Sequence, residues 1–157
     1  MKRFPLILAA TLAAALVGLA AARTTTYNDA VSAFQTASTE AEGVAVILDA
    51  SGDLPGMGKV TLRREGANVI GGTWSLTILP AGADASSSEK GRLAGAVTGG
   101  SLTLHPDGTL AAAGSVQLTI ESGTGQYAAV SAGGGTLNLS ADAENPSKFT
   151  GTLALSF

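Results

Sequence analysis

The chain has 157 residues, of which 9 are lysine or arginine and 12 are aspartate or glutamate, for a formal net charge of −3. It contains no cysteine, which excludes disulfides, thiol chemistry and cysteine-bound metal sites. The acidic balance disfavours nucleic acid or an anionic membrane surface as a partner, because both are bound through clustered positive charge. A chain of this length is expected to form one domain with its own core.

The N-terminal segment has the pattern of a cleavable export signal. Lys2 and Arg3 provide a positive start, an apolar run follows at residues 4–19, and residues 20–22 are alanines that suit cleavage. The run is shorter than the roughly 20 residues that a membrane-spanning helix needs. The sequence therefore predicts a signal peptide at residues 1–22 and a secreted or periplasmic mature protein. Without Lys2 and Arg3, 7 basic residues remain against 12 acidic ones, a net charge of −5.

Residues 23–42 are polar and rich in alanine and threonine. Asn28 or Asp29 suits the cap of a short helix, whereas the repeated threonines lower the helix propensity. The segment is therefore interpreted as a polar N-terminal arm or a short helix that precedes the folded domain at residues 43–157.

From residue 43 onward, short apolar runs alternate with turn signals. Strands are predicted at residues 43–50, 57–64, 69–79, 91–105, 109–121, 127–132, 136–141 and 149–157. The phase of the apolar residues reverses at Gly99 and Gly100, which predicts a bulge that bends the strand. The turn HPDG at residues 105–108 has proline and glycine where a reverse turn needs them. No crossover-length helix separates the strands, so they are expected to be antiparallel.

The third predicted strand places Ile70, Trp74, Leu76 and Ile78 on one face. Trp74 is the only tryptophan of the chain, and its default role is to anchor the core. The last predicted strand runs to Phe157, and an unpaired sheet edge there would invite aggregation. The predicted fold is therefore all-β: a single antiparallel, up-and-down, barrel-like domain of about eight strands.

The stretch GTGQYAAVSAGGGT, residues 123–136, is a glycine-rich corner with one large aromatic residue, Tyr127. Together with GTLNLSA at 135–141 and FTGTLALSF at 149–157, it resembles a region of secreted bacterial proteins with an allene oxide cyclase or dirigent-like β-barrel. The plant members of that fold include a cyclase acting on a fatty-acid epoxide and proteins that steer phenolic coupling. The resemblance implies the barrel fold, and it implies no catalytic residue because the matched positions are structural.

Two functions from different classes remain open. The favoured one is a non-enzymatic binding or structural protein, in which Trp74 and Tyr127 border an interior that holds a small apolar molecule. The second is a cyclase or isomerase in the same barrel, in which the shape of the site does most of the catalysis. A third alternative, an outer-membrane barrel, is disfavoured because 4 phenylalanines, 2 tyrosines and 1 tryptophan are too few for two aromatic girdles.

The sequence predicts no catalytic residue, no metal site and no cofactor. His105 is the only histidine and precedes a proline turn, so it is interpreted as an exposed turn residue. Asp49, Asp53 and Asp107 lack the spacing of a calcium loop and are interpreted as turn caps. The glycine-rich stretch lacks the helix and the lysine of a phosphate-binding loop. Three further charged residues are interpreted as solvated side chains: Arg64, Arg92 and Glu121.

Overall fold

The computed structural model describes residues 24–39, 43–65, 68–83, 88–102, 113–145 and 147–157. These residues form the strands β1 (Thr26–Thr39), β2 (Gly43–Gly52), β3 (Gly56–Glu65), β4 (Asn68–Ile78), β5 (Gly91–Gly100), β6 (Gly114–Ile120), β7 (Ser122–Gly123), β8 (Gly133–Ala141) and β9 (Lys148–Ser156). A 3₁₀ turn, Gly125–Tyr127, lies between β7 and β8. The predicted signal peptide and the HPDG turn, with His105 and Asp107, lie outside the described residues.

Eight of these strands close into an antiparallel barrel. Each strand from β1 to β5 pairs with the next one along the chain, β6 pairs with β8, and β8 pairs with β9. The ring closes where β9 pairs with β1. The two-residue β7 pairs with the first half of β5. The predicted all-β, up-and-down barrel of about eight strands is therefore confirmed.

The first barrel strand is the segment that the sequence predicted as an arm or a short helix. β1 pairs with β2 on one side and with β9 on the other, so that prediction is wrong for Thr26–Thr39. The inward positions of β1 include Asp29 and the small Ala33, whereas the large Phe34 is exposed. Because a polar and a small residue point inward and a large apolar residue points outward, the sequence of β1 does not show the apolar alternation that is typical of a strand. Pairing with two neighbours supplies the stability that its composition does not.

The strand predicted at residues 127–132 is also wrong. The N–H of Tyr127 donates to the carbonyl oxygen of Thr124 at 3.0 Å, and the N–H of Val130 donates to that of Tyr127 at 2.8 Å. These local bonds satisfy backbone groups that a strand would pair with a neighbour. The predicted number of barrel strands holds because β1 takes the place of this segment.

The interior of the barrel is filled by side chains. Inward residues of all eight barrel strands belong to one buried cluster, and its largest fully buried members include Phe149, Leu48, Leu62, Leu76, Leu93, Leu137, Leu153 and Leu155. An interior void bordered by Gln35, Leu102 and Phe149 measures about 10 Å³. This volume admits at most one water molecule. In the described part of the chain, the interior is therefore a packed core.

A bulge in β4 keeps its apolar side chains inward. The ladder between β3 and β4 skips Ile70, so that Val69 and Gly71 pair with successive residues of β3. Val69 is buried, and Ile70 is 50% exposed. The prediction that Ile70 shares the face of Trp74 is therefore wrong, because the extra residue reverses the phase of the strand.

A second bulge lies in β5. Val97 and Gly99 pair with successive residues of β6, which makes Thr98 the extra residue. Leu102, beyond the bulge, is buried like Val97. The bulge predicted at Gly99 and Gly100 is therefore present and begins one residue earlier.

Candidate functional site

Trp74 is a core residue that ties three strands together. It is 4% exposed, and its indole Nε1–H donates to the carbonyl oxygen of Thr119 on β6 at 2.8 Å. Gly95 on β5 pairs with Trp74, and a Cβ at Gly95 would overlap the carbonyl of Thr119 and lie 3.1 Å from the indole nitrogen. Only glycine leaves room for the indole to bridge β4 and β6 at this position.

Tyr127 lies at the end of the barrel where β1 begins and β9 ends. Its ring meets Phe157 edge-on with the ring centroids 6.2 Å apart, and Phe157 stacks on Tyr27 at 4.7 Å. Burial raises the pKa of the Tyr127 hydroxyl, and Tyr27 and Asp29 raise it further. Tyr27, Tyr127 and Phe157 together form an aromatic cap over this end of the barrel.

Trp74 and Tyr127, which the sequence predicts to border one ligand, lie at different levels of the barrel. Ile78, four residues after Trp74, pairs with Gly91, and a Cβ at Gly91 would lie 3.1 Å from the ring of Tyr127. At about 3.3 Å per residue, four residues correspond to roughly 13 Å along the strand. The predicted ligand site formed by these two residues therefore stays a prediction.

Asp29 is a buried carboxyl group beneath the aromatic cap. It is 3% exposed, its Oδ1 accepts the N–H of Leu54 at 2.8 Å, and its Oδ2 has no hydrogen-bond partner among the described residues. Burial raises the pKa of Asp29, the Leu54 hydrogen bond lowers it, and the charge of Asp53 raises it. Leu54 is itself buried, so Asp29 holds the β2–β3 turn over the end of the barrel.

An open groove of about 390 Å³ lies on the outer face of β3, β4 and β5. We call it the outer groove. Lys59 on β3 and Arg92 on β5 are two of its lining residues, and Ser75 and Ala94 lie in one cross-strand row with Lys59. Because the side chains of Ser75 and Ala94 are short, they leave a hollow between the long side chains.

A bulge brings Glu121 to the outer groove. The carbonyl oxygen of Ala94 accepts the N–H of Glu121 at 2.9 Å, and Ala94 also pairs with Ser122 on β7. Glu121 and Ser122 thus both stand opposite Ala94, which is a β-bulge. A bulge changes the direction in which the side chains of a strand point, and bulges are common next to functional sites. Glu121 and Ser122 both line the outer groove.

The charged side chains that line the outer groove form no ion pairs within the described structure. Lys59, Arg92 and Glu121 make no ion pair with another described residue. The sequence alone predicts Arg92 and Glu121 to be solvated charges and does not place them in a common site. The available signal was the run of small residues in GRLAGAV, residues 91–97, which leaves the outer face of β5 without large apolar side chains.

Comparisons with protein-family models, with curated proteins and with solved structures give no match. The resemblance to the allene oxide cyclase and dirigent-like barrels therefore stays a prediction. Over residues 24–39, 43–65, 68–83, 88–102, 113–145 and 147–157, no helix is long and apolar enough to cross a membrane, and no group of three or more histidine, aspartate or glutamate residues is arranged to hold a metal ion.

Proposed function

We propose that the mature chain is an exported, non-enzymatic binding barrel that works from its outer surface. The observation that carries this proposal is the filled interior, in which the void beside Phe149 measures about 10 Å³. A barrel of about eight strands is either filled by side chains or wide enough for one small ligand. Because this interior is filled, a ligand or partner meets the outside of the barrel. Export is proposed from the signal pattern at residues 1–22.

The distribution of side chains weighs against the two alternatives. A cyclase or isomerase acting inside the barrel needs a cavity of a few hundred Å³ or more, far above the interior void. An outer-membrane barrel has an apolar outside and a polar inside. This barrel has an apolar inside, and the outward residues of β3 include Lys59, Thr61 and Arg63 next to one exposed apolar residue, Met57. These features support a protein without stable membrane insertion.

The test is apolar-ligand binding by the full chain, expressed with its own leader and recovered from periplasm or medium without detergent. We expect calorimetric titration with oleate and with benzene to show no binding to the wild type. The positive control is Phe149→Ala, which opens a cavity beside the existing void and should gain benzene binding. Phe149→Leu is a milder control if the alanine variant does not fold.

Two results would contradict the proposal. Stoichiometric binding of oleate or benzene to the wild type would mean that the interior opens for a ligand. Recovery of the uncleaved chain only from the cytoplasm or a membrane fraction would remove the exported function. N-terminal sequencing of the recovered protein shows whether cleavage falls near residue 22.

A further inference from the structure

The geometry points to the outer groove as a binding site for an acidic saccharide. This inference rests on the proposed binding function and names its class of ligand. The site combines two cationic side chains, Lys59 and Arg92, with the carboxylate of Glu121 and a set of hydroxyl groups between them. Its volume of about 390 Å³ lies in the range of small-molecule sites.

The sheet register places the two cations on either side of Ser75. Lys59 pairs with Ser75 across β3 and β4, and Arg92 pairs with Thr77, two residues further along β4. Lys59 and Arg92 are therefore two strands apart and offset by two residues along the sheet, which is about 12 Å between backbones. Both side chains are long enough to approach one carboxylate or phosphate group above Ser75. Charge-assisted hydrogen bonds of this kind are the strongest that surface side chains form.

The hydroxyl groups of the outer groove suit a polyol. Thr61, Thr73, Ser75 and Ser122 line it, and their hydroxyls make no hydrogen bond with another described residue. A hydroxyl both donates and accepts, as the hydroxyls of a sugar do. The Glu121 carboxylate accepts only, so it favours the hydroxyl side of a ligand and repels its acidic group. The ligand is therefore oriented with its acidic group toward the cations.

A second hollow extends the outer groove along β3. It measures about 410 Å³, shares Thr61 and Thr73 with the outer groove, and adds Arg63. Arg63 is four residues from Lys59, roughly 13 Å along the strand. Two cationic side chains, Lys59 and Arg63, are thus separated by the hydroxyl group of Thr61. This spacing fits a chain of acidic sugar units better than a single unit.

The remaining lining disfavours ligands that are held by ring stacking. Trp74 is the one aromatic residue that lines the outer groove, and it is 4% exposed with its indole nitrogen already bonded to Thr119. A nucleobase needs an exposed ring face on which to stack. Recognition here relies on charge and on hydroxyl hydrogen bonds.

The experiment is calorimetric titration of the full exported chain with trigalacturonate at low ionic strength. We expect binding that weakens as salt is added, and no binding of the neutral trisaccharide maltotriose. Arg92→Gln and Lys59→Gln should each weaken binding of trigalacturonate by about tenfold or more, because each removes a charge-assisted contact. Arg92→Lys keeps the charge and should lose less than Arg92→Gln.

Lys148→Gln is the matched control. Lys148 is on β9, lines neither the outer groove nor the second hollow, and its loss changes the net charge by the same amount. Its affinity for trigalacturonate should equal that of the wild type. Circular dichroism of each variant establishes that the barrel is intact before titration.

Three outcomes would overturn the inference. They are no binding of trigalacturonate at millimolar concentration, equal weakening by Arg92→Gln and Lys148→Gln, and binding of inorganic phosphate as tight as that of trigalacturonate. The proposed function fails separately, since oleate binding to the wild type would remove it whatever trigalacturonate does. If neither trigalacturonate nor oleate binds to the wild type, the saccharide site is refuted, whereas the proposal of a filled barrel that binds through its outer surface still holds.

Discussion

Replacing Asp29 with asparagine is expected to stabilise the protein at neutral pH. The Oδ1 of Asp29 accepts the Leu54 N–H, while its Oδ2 is buried without a partner among the described residues. Burial raises the pKa of Asp29, so the folded state is destabilised by ionisation of this carboxyl. Asp29→Asn removes the charge and keeps an oxygen that accepts from Leu54.

The expected gain follows from the environment of Oδ2. A buried polar group without a partner costs about 1–3 kcal/mol, and more when it is charged. Asparagine still buries an unpaired group, so only the difference between charged and neutral forms is recovered. We expect about 1 kcal/mol at pH 7, or a rise in Tm of about 3 °C for a domain of this size.

The stability difference between Asp29→Asn and the wild type is expected to depend on pH. Because the folded-state pKa of Asp29 is raised, the wild type is penalised as pH rises from the unfolded value near 4 through the folded value. The advantage of Asp29→Asn is therefore present at pH 7 and becomes small at about pH 3.5, where the wild-type carboxyl is protonated in the folded state and mostly protonated in the unfolded state.

Urea unfolding at pH 7 and at pH 3.5 measures this difference directly. Asp49→Asn, at an exposed carboxylate on β2, is the control and should change little. Asp29→Ala removes the acceptor for Leu54 and should lower stability at both pH values by about 1–3 kcal/mol. Two results would contradict a buried, destabilising carboxylate at Asp29: a lower stability of Asp29→Asn than of the wild type at pH 7, or an advantage of the variant that is as large at pH 3.5 as at pH 7.

Four further substitutions test the packing of the barrel and its stability at alkaline pH. Gly95→Ala should lower the free energy of unfolding by about 2 kcal/mol or more, because the added Cβ overlaps the Thr119 carbonyl. Gly134→Ala is the control: its Cβ meets only ordinary van der Waals contact, so it should lower the free energy of unfolding by under about 0.5 kcal/mol in the same urea titration. Equal losses in the two variants would contradict the close contact at Gly95. Trp74→Phe should cost about 1–2 kcal/mol, since the Thr119 carbonyl loses its indole donor, and an unchanged stability would remove that role. Partial burial raises the pKa of Tyr127, so the wild type loses stability as pH rises from about 10 through the folded-state pKa. Unfolding curves should therefore show a smaller alkaline loss of stability in Tyr127→Phe. An equal loss in both proteins would contradict the raised pKa.

Much of the barrel could be predicted because most strands alternate cleanly. In β6, the buried Val116, Leu118 and Ile120 occupy every second position, which is the signature of a strand with one buried face. β1 escaped prediction because Asp29 occupies an inward position and Phe34 an outward one. β1 is a strand because it pairs with both β2 and β9, and β9 is distant in sequence.

The candidate site was harder to predict than the fold. Lys59, Arg92 and Glu121 lie on three different strands, and no local motif joins them. They meet because β3, β4 and β5 pair in one register and because Glu121 and Ser122 form a bulge opposite Ala94. The sequence did predict Trp74 as a core anchor, and the indole bond to β6 agrees with that role.

Native mass spectrometry of the protein from its own host, released without detergent, tests the filled interior most directly. With a filled interior, we expect the bare mass of the mature chain, or that mass with a bound carbohydrate. An apolar molecule retained in one-to-one ratio and lost on denaturation would contradict it, because the void of about 10 Å³ beside Phe149 has no room for such a molecule.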